Sequence, residues 1–312
     1  MTEKRMNKIR VAIVGYGHVG ECALQSVLDA PDMEPAGLVE LPAVVKKMCH
    51  LEPMQPSVLE ELPITEDIRT LGRVDVAVLC CPSRGVQRIA TDMLNAGVNT
   101  VDSFDIHTEI PRMRRSLGET AKKAGKVSIL SAGWDPGIDS VVRAWLQAMA
   151  PKGITHTNYG PGMSMGHTCA AKAIEGVKDA LSITVPIGMG VHRRMVYVQL
   201  QAGAAFAEVE QRIKQDAYFA KDRTLVFEVP NIRDLLDVGH GVRIERTGVS
   251  GTTHNQNFKF EMRINNPALT AQVMVSAARA AMHQPPGCYT MIELPVIDFL
   301  HGDVEAFVQQ LV

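Results

Sequence analysis

The 312-residue chain carries 32 Lys and Arg against 34 Asp and Glu, a net charge of −2, and 46% of its residues are hydrophobic. That balance argues against nucleic acid or another polyanion as a partner, and no apolar run of about 18 residues is present to span a membrane. The length exceeds what one hydrophobic core ordinarily serves, so two domains are expected. The opening MTEKRMNK is charged and lacks the apolar core of a signal peptide. Six cysteines stand at 22, 49, 80, 81, 169 and 288, none in a Cys-x-x-Cys pair. They read as reduced, buried thiols of a cytoplasmic protein rather than disulfides or zinc ligands. The ten histidines are scattered without metal-ligand spacing, and no metal site is expected.

Ile9, Val11, Ile13 and Val14 make a β-branched run suited to a buried parallel strand. It ends in Gly15-Tyr16-Gly17-His18-Val19-Gly20, and an amphipathic helical pattern follows. This is Gly-x-Gly-x-x-Gly between a strand and a helix, the context that points to dinucleotide binding. Gly15 serves the turn, Gly17 lets a pyrophosphate approach the backbone, and Gly20 lets helix and strand pack closely. The second strand, 34–39, ends at Glu40, where an acidic side chain binds adenosine ribose hydroxyls. A carboxylate there disfavours a 2′-phosphate and points to NAD, although Lys46 and Lys47 follow and could offset the repulsion.

Residues 42–73 are punctuated by proline. Strand 74–81 then ends at Cys81-Pro82-Ser83-Arg84, followed by helix 85–96, strand 99–102 and the loop Ser103-Phe104-Asp105. Helix 109–124 leads to strand 126–131. This alternation predicts a doubly wound, Rossmann-type parallel sheet over residues 1–131, with ligands beyond the carboxyl ends of its strands. From 132 the pattern changes. SAGWDPG at 131–137 and NYGPGMSMGH at 158–167 are rich in glycine and polar groups. A helix is expected over 170–180, and strands at 192–200, 224–229, 242–247 and 257–264. Residues 132–289 therefore read as an α+β substrate-binding and oligomerisation domain on an open, mainly antiparallel sheet covering the cofactor. Helix 267–283 closes it, and 290–312 is expected to pack back onto the first domain.

A nicotinamide enzyme needs polar groups that hold one substrate carbon against the ring. Asp135 could hold a substrate ammonium or take its proton, or it could cap the helix starting near Pro136. Arg194 offers a bidentate fork for a carboxylate, and Thr184, His240 and Asn266 offer further polar contacts. Met163 and Met165 lie among glycines suited to a backbone-lined pocket. His167, His192 and His254 are acid–base candidates without supporting spacing. No Gly-x-Ser-x-Gly or Cys/His signature supports a nucleophile.

Taken together, VAIVGYGHVG, VDSFDIH, SAGWDPG, YGPGMSMGH, VHRRMVYV, DVGHG, INNPALTAQ and GCYTMIE resemble the meso-diaminopimelate D-dehydrogenase family over nearly the whole chain. WDPG together with GPGMSMGH is the most specific part. The likeness is greatest to the branch that also accepts simpler 2-keto acids in the amination direction. The resemblance implies reversible oxidative deamination at the D-centre of meso-2,6-diaminopimelate by a homodimer or higher homo-oligomer. It implies that Trp134, Asp135, Met165 and Gly166 line the reacting end. Thr184, Arg194, His240 and Asn266 would hold the distal L-end with Tyr159 nearby, and Asp105 would lie on the dinucleotide side. The family is generally NADP-dependent and carries arginines where this chain has Glu40-Leu41-Pro42, so NADP or NAD is expected. A related D-amino acid or imine dehydrogenase and a non-catalytic dinucleotide-binding regulator are the alternative readings.

Overall fold

The computed structural model describes residues 8–40, 62–235 and 239–312. They form two compact units, one comprising the described residues of 8–141 and 267–312, the other the described residues of 142–266. The sequence reading set the boundaries at 131/132 and 289/290. Segments 132–141 and 267–289 instead belong to the first unit.

The first unit is built on β1 (Ile9–Val14), α1 (His18–Asp29), β2 (Met33–Val39), β3 (Ile64–Thr65), β4 (Val76–Leu79), α2 (Ser83–Asn95), β5 (Asn99–Asp102), α3 (Ile110–Ala124) and β6 (Val127–Ile129). The helix α4 (Ile138–Met149) carries the chain into the second unit. That unit contains β7 (Lys152–Tyr159), β8 (Gly162–Met163), α5 (Met165–Lys172), β9 (Val177–Gly188), β10 (Val191–Leu200), α6 (Phe206–Gln215), β11 (Arg223–Glu228), β12 (His240–Ser250) and β13 (Thr253–Ile264). The chain then returns through α7 (Asn266–Ala281), β14 (Gly287–Tyr289) and α8 (Val304–Leu311).

In the first unit the strand order is β14-β6-β5-β4-β1-β2-β3, with all pairs parallel. The order reverses at β1 and β4, the point where such sheets bind ligands. Strand β1 shows why its sequence is apolar from Val11 to Val14. Val11 and Ile13 face a core with Ala23, Leu24 and Val27 of α1 and Met274 and Ala278 of α7. Ala12 and Val14 face a second core with Val86, Ala90 and Leu94 of α2 and Met113 and Leu117 of α3. Helices cover both faces, so no position from Val11 to Val14 is left for a polar residue, whereas Arg10 sits at the half-buried start of the strand. Truncating a fully buried side chain such as Ile13 would cost roughly 2–5 kcal/mol. The returning α7 is further tied to the start of β2: Arg279 donates from Nε and Nη2 to Asp32, at 2.6 and 2.8 Å, and from Nη1 to the Phe299 carbonyl.

The second unit holds two sheets rather than the single one expected. One has the order β11-β10-β9-β8, and the other is β13-β12-β7. All their pairings are antiparallel except β10 with β11. The helix expected over 170–180 is displaced, because α5 spans Met165–Lys172 and residues from Val177 onward belong to β9. The composition of VKDAL favours a helix, yet Gly176 with φ of +90° turns the chain out of it. Ala180, Ser182 and Thr184 then alternate into buried positions against β10.

A fully buried carboxyl at the end of β5 fixes the loops above the parallel sheet. Asp102 Oδ1 accepts the Phe104 amide at 2.9 Å and the Ser131 amide at 3.0 Å, and its carbonyl accepts the Ala132 amide at 2.6 Å. Burial pushes this carboxyl up to about 6, although the two amide bonds pull it down. Its folded value therefore lies above the ordinary 3.8, the native state binds more protons between those values, and stability falls as pH rises from about 4 to about 6. The variant Asp102→Asn keeps an oxygen for both amides and removes this charge. Its stability relative to the parent should improve from pH 4 to pH 7 by up to roughly 3 kcal/mol, about two units at 1.4 kcal/mol each. Urea melts at both pH values test this; a pH-independent difference would exclude an ionised, strained Asp102.

Candidate active site

The glycine turn has the anatomy that its sequence requires. Gly15 adopts φ of +92°, and a Cβ there would lie 2.8 Å from the Cys80 carbonyl oxygen. A Cβ on Gly20 would lie 2.2 Å from the Gly15 carbonyl oxygen, whereas one on Gly17 would meet nothing within 4 Å. Helix α1 thus begins at His18 behind an open position, and Gly17 supplies no side-chain cap. The first-turn amides, including those of His18, Val19 and Gly20, have no carbonyl partner within a helix and form a natural anion cradle.

Glu40 is turned into this loop. Its Oε2 accepts the Tyr16 amide at 2.6 Å, and its own amide donates to the Thr65 carbonyl. Lys46 and Lys47 lie outside the described residues. At the next strand end, Pro82 precedes the first turn of α2, which holds Ser83 and the exposed Arg84. Burial, reinforced by the charge of Asp102, raises the Cys81 thiol to about 11 and keeps it protonated.

The three carboxyl-end loops of β4, β5 and β6 meet one another. Ser83 Oγ donates to Asp105 Oδ1 at 2.6 Å, and Asp102 joins 103–104 to 131–132 as described. In the last loop, a Cβ on Gly137 would fall 1.8 Å from the Gly133 carbonyl oxygen. The Gly133 amide donates to the Pro136 carbonyl, and the Ile138 amide returns to Gly133. This closed turn presents Trp134, which is buried, and Asp135, which is half-buried. Helix α4 starts at Ile138, so Gly137 and not Asp135 occupies the position before it.

A second set of residues converges within the other unit. Thr184 and Arg194 are directly opposite in the β9–β10 ladder, and Arg194 Nη1 donates to Thr184 Oγ1. Gly162 pairs with Thr184, and a Cβ on it would come within 2.5 Å of the His240 Cα. Only glycine lets the chain pass between these residues, which explains the YGPGM spacing. His240 is buried, and its Nδ1 lies 2.7 Å from the Gly241 amide and 3.1 Å from the Gly241 carbonyl. Tyr159 donates its amide to His192 Nε2 at 2.7 Å, and its hydroxyl accepts from Arg143. Met165 and Gly166 open α5, and Met163 precedes them on β8. Asn266 begins α7.

The histidine candidates separate clearly. His167 contacts Ser164 Oγ through Nδ1 at 2.9 Å and packs edge-on against Tyr218 and Phe219. Burial first, and then the Arg194 charge, lower it to about 4, so it is neutral at neutral pH. Burial and Arg194 also lower His192. His254 is exposed on β13. The imidazoles of His167 and His192 are thus both disfavoured as cations.

Two residues escaped the sequence reading. Asp102 lies in VDSFDIH beside the aspartate that was chosen, and only its burial distinguishes it. Asp222 accepts Arg194 Nε at 2.6 Å from 28 residues away. The parallel pairing of Arg194 with Thr224 brings Asp222 within reach, and that register has no signature in the sequence. Among the described residues, no group of three metal-ligating side chains converges, and no helix is long and apolar enough to cross a membrane.

Residues 133–191 match the model of the diaminopimelic acid dehydrogenase C-terminal domain. The chain is 57% identical to the meso-diaminopimelate D-dehydrogenase of Bacteroides fragilis, over 98% of this chain and 100% of that one. Among solved structures it is similar to C. glutamicum DAP dehydrogenase in complex with DAP, at 27% identity and a TM-score of 0.85, covering 98% of this chain and 100% of that one. It is also similar to an engineered D-amino acid dehydrogenase bound to NADP+, at 25% identity and a TM-score of 0.81, with the same coverage. With full-length similarity at this level, the chain belongs to the meso-diaminopimelate D-dehydrogenase family.

Proposed function

We infer that this enzyme carries out the reversible, NAD(P)-dependent oxidative deamination of the D-centre of meso-2,6-diaminopimelate. The products are L-2-amino-6-oxopimelate, which cyclises to tetrahydrodipicolinate, ammonia and the reduced cofactor, a reaction suited to lysine biosynthesis. The observation that carries this reading is the donor cluster of Thr184, Arg194 and His240, built within one unit of a family member. A substrate with a second amino acid centre gives such a cluster its purpose. A non-catalytic dinucleotide sensor has no use for it.

The nicotinamide, when bound, supplies the two-electron acceptor. The open Gly17 and the first turn of α1 suit the pyrophosphate, and Glu40 suits the adenosine ribose. Pro82, Ser83 and Arg84 follow at the neighbouring strand end. Asp135 accepts hydrogen bonds from the D-centre ammonium and takes up its proton, and Trp134 walls that position. Asp105, held by Ser83, adds a second carboxylate. Met165 and Gly166 shape the reacting end. The Arg194 fork takes the distal carboxylate with Thr184 and the His240 imidazole, and Tyr159 and Asn266 complete that end. Exposed Trp145, Met149 and Ile154 in the second unit support a homodimer or higher homo-oligomer. The unpaired thiols of the described cysteines suit the cytoplasm.

Purified protein incubated with meso-, LL- or DD-diaminopimelate and either cofactor tests the reading through absorbance at about 340 nm, the nicotinamide band. Turnover of the meso isomer with ammonia release, and far less with LL, is expected. A lack of signal with every isomer and cofactor would favour the sensor reading.

Cofactor choice follows from Glu40. Held against the Tyr16 amide, its carboxylate is suited to accept ribose hydroxyls and opposes a 2′-phosphate by like charge. A residual penalty of about 1.4 kcal/mol shifts preference tenfold. NAD should be used at least as well as NADP, and Glu40→Arg should move the kcat/KM ratio toward NADP without altering amino acid preference. Strong NADP preference in the parent, retained in Glu40→Ala, would remove Glu40 from this role.

A further inference from the structure

An arginine fork selects a carboxylate only if its plane is fixed before the ligand arrives. Two neighbours fix Arg194. Thr184 accepts from Nη1, and Asp222 accepts from Nε at 2.6 Å through Oδ2. Nη2 has no hydrogen-bond partner among the described residues. Asp222 thus occupies the Nε edge, and the Nη end remains for a ligand.

Asp222 is itself held rigidly. Its amide donates to the Phe219 carbonyl at 3.1 Å, and its carbonyl accepts from Thr224 Oγ1 at 3.2 Å. Phe219 is wholly buried in the cluster with Val209 and Ile213 of α6 and Val196 of β10. The carboxylate is therefore anchored to the core through a short turn and delivered at the start of β11, next to β10. The imidazoles flanking Arg194, those of His167 and His192, are disfavoured as cations by burial and by Arg194 itself. Asp222 is then the anionic partner of Arg194 among the described residues.

We propose that Asp222 is a positioning residue for recognition of the distal carboxylate, acting by orienting the Arg194 guanidinium. This rests on the proposed reaction and names the group that makes its specificity clamp rigid. Asp222 touches no reacting atom. Its removal should weaken distal recognition while leaving the chemistry at the D-centre intact.

Asp222→Ala and Asp222→Ser are both too short to reach Nε. Each should raise the KM for meso-diaminopimelate about tenfold, with kcat and the cofactor KM within about twofold, the pattern of lost uniform binding. Asp222→Asn retains an acceptor oxygen and should restore KM to within about threefold of the parent. In an Arg194→Ala background, Asp222→Ala should add little further loss, because the two residues act as one unit. An unchanged or lower KM in both short variants would overturn the proposal, as would an equal rise in the Arg194→Ala background. A joint fall in kcat and cofactor affinity would mark a merely structural role and overturn it too. Turnover by the parent with any of these results defeats this inference alone. Absence of parent turnover defeats the proposed function, and this inference with it.

Discussion

The parallel-sheet unit depends on a close approach that only glycine permits. A methyl group on Gly20 would lie 2.2 Å from the Gly15 carbonyl oxygen, and one on Gly15 would lie 2.8 Å from that of Cys80. These are backbone contacts, which no side-chain rearrangement can relieve. They bring α1 down onto β1 where the strand order reverses, and they direct its unpaired amides along the carboxyl edge of the sheet. Glu40 completes the turn by accepting the Tyr16 amide. The same residue that gives the loop its shape therefore gives it a charge.

Aspartates then organise the structure beyond this turn, each through a different environment. Asp102 is sealed in and spends its oxygen on two amides, joining the loops after β5 and β6. Asp105 is exposed and bonded to Ser83, joining the loops after β4 and β5. Asp135 stands half-buried on a turn closed by Gly133 and Gly137. Asp222, in the other unit, is paired with an arginine. One residue type thus serves as loop tie, loop clasp, candidate proton acceptor and guanidinium brace. Burial and partners decide which.

What could be read from the sequence follows the range of the forces involved. The glycine turn, the apolar strands and the parallel half were legible because both faces of each strand are covered, so the patterns are local and strong. The WDPG and YGPGM segments were legible because their glycines meet backbone nearby in space. The second unit was harder. VKDAL looks helical in isolation, and its membership of β9 depends on pairing with β10. The division into two sheets is likewise a property of pairing. The Asp222 contact depends on the parallel register of β10 with β11, which brings together residues 28 positions apart. Asp102 ends β5 and is buried, Asp105 lies in the loop after it and is exposed, and such a difference three residues apart is not written in residue type.

The cluster of Arg194, Thr184 and Asp222 brings these levels together. Arg194 lies on a strand whose apolar neighbours Val196 and Val198 are wholly buried, so its backbone is fixed by the core. Its guanidinium is fixed by Thr184 on one neighbouring strand and by Asp222 at the start of the other. The price of ordering a long, flexible side chain is thereby met during folding, not on binding. Lysine at this position would retain the charge but lose the fork, and with it the division of labour between the Nε edge and the Nη end. The group at position 194 is therefore more than a point charge. It is a planar cation held in a sheet between a hydroxyl and a carboxylate, and the strand pairings of the second unit supply that arrangement.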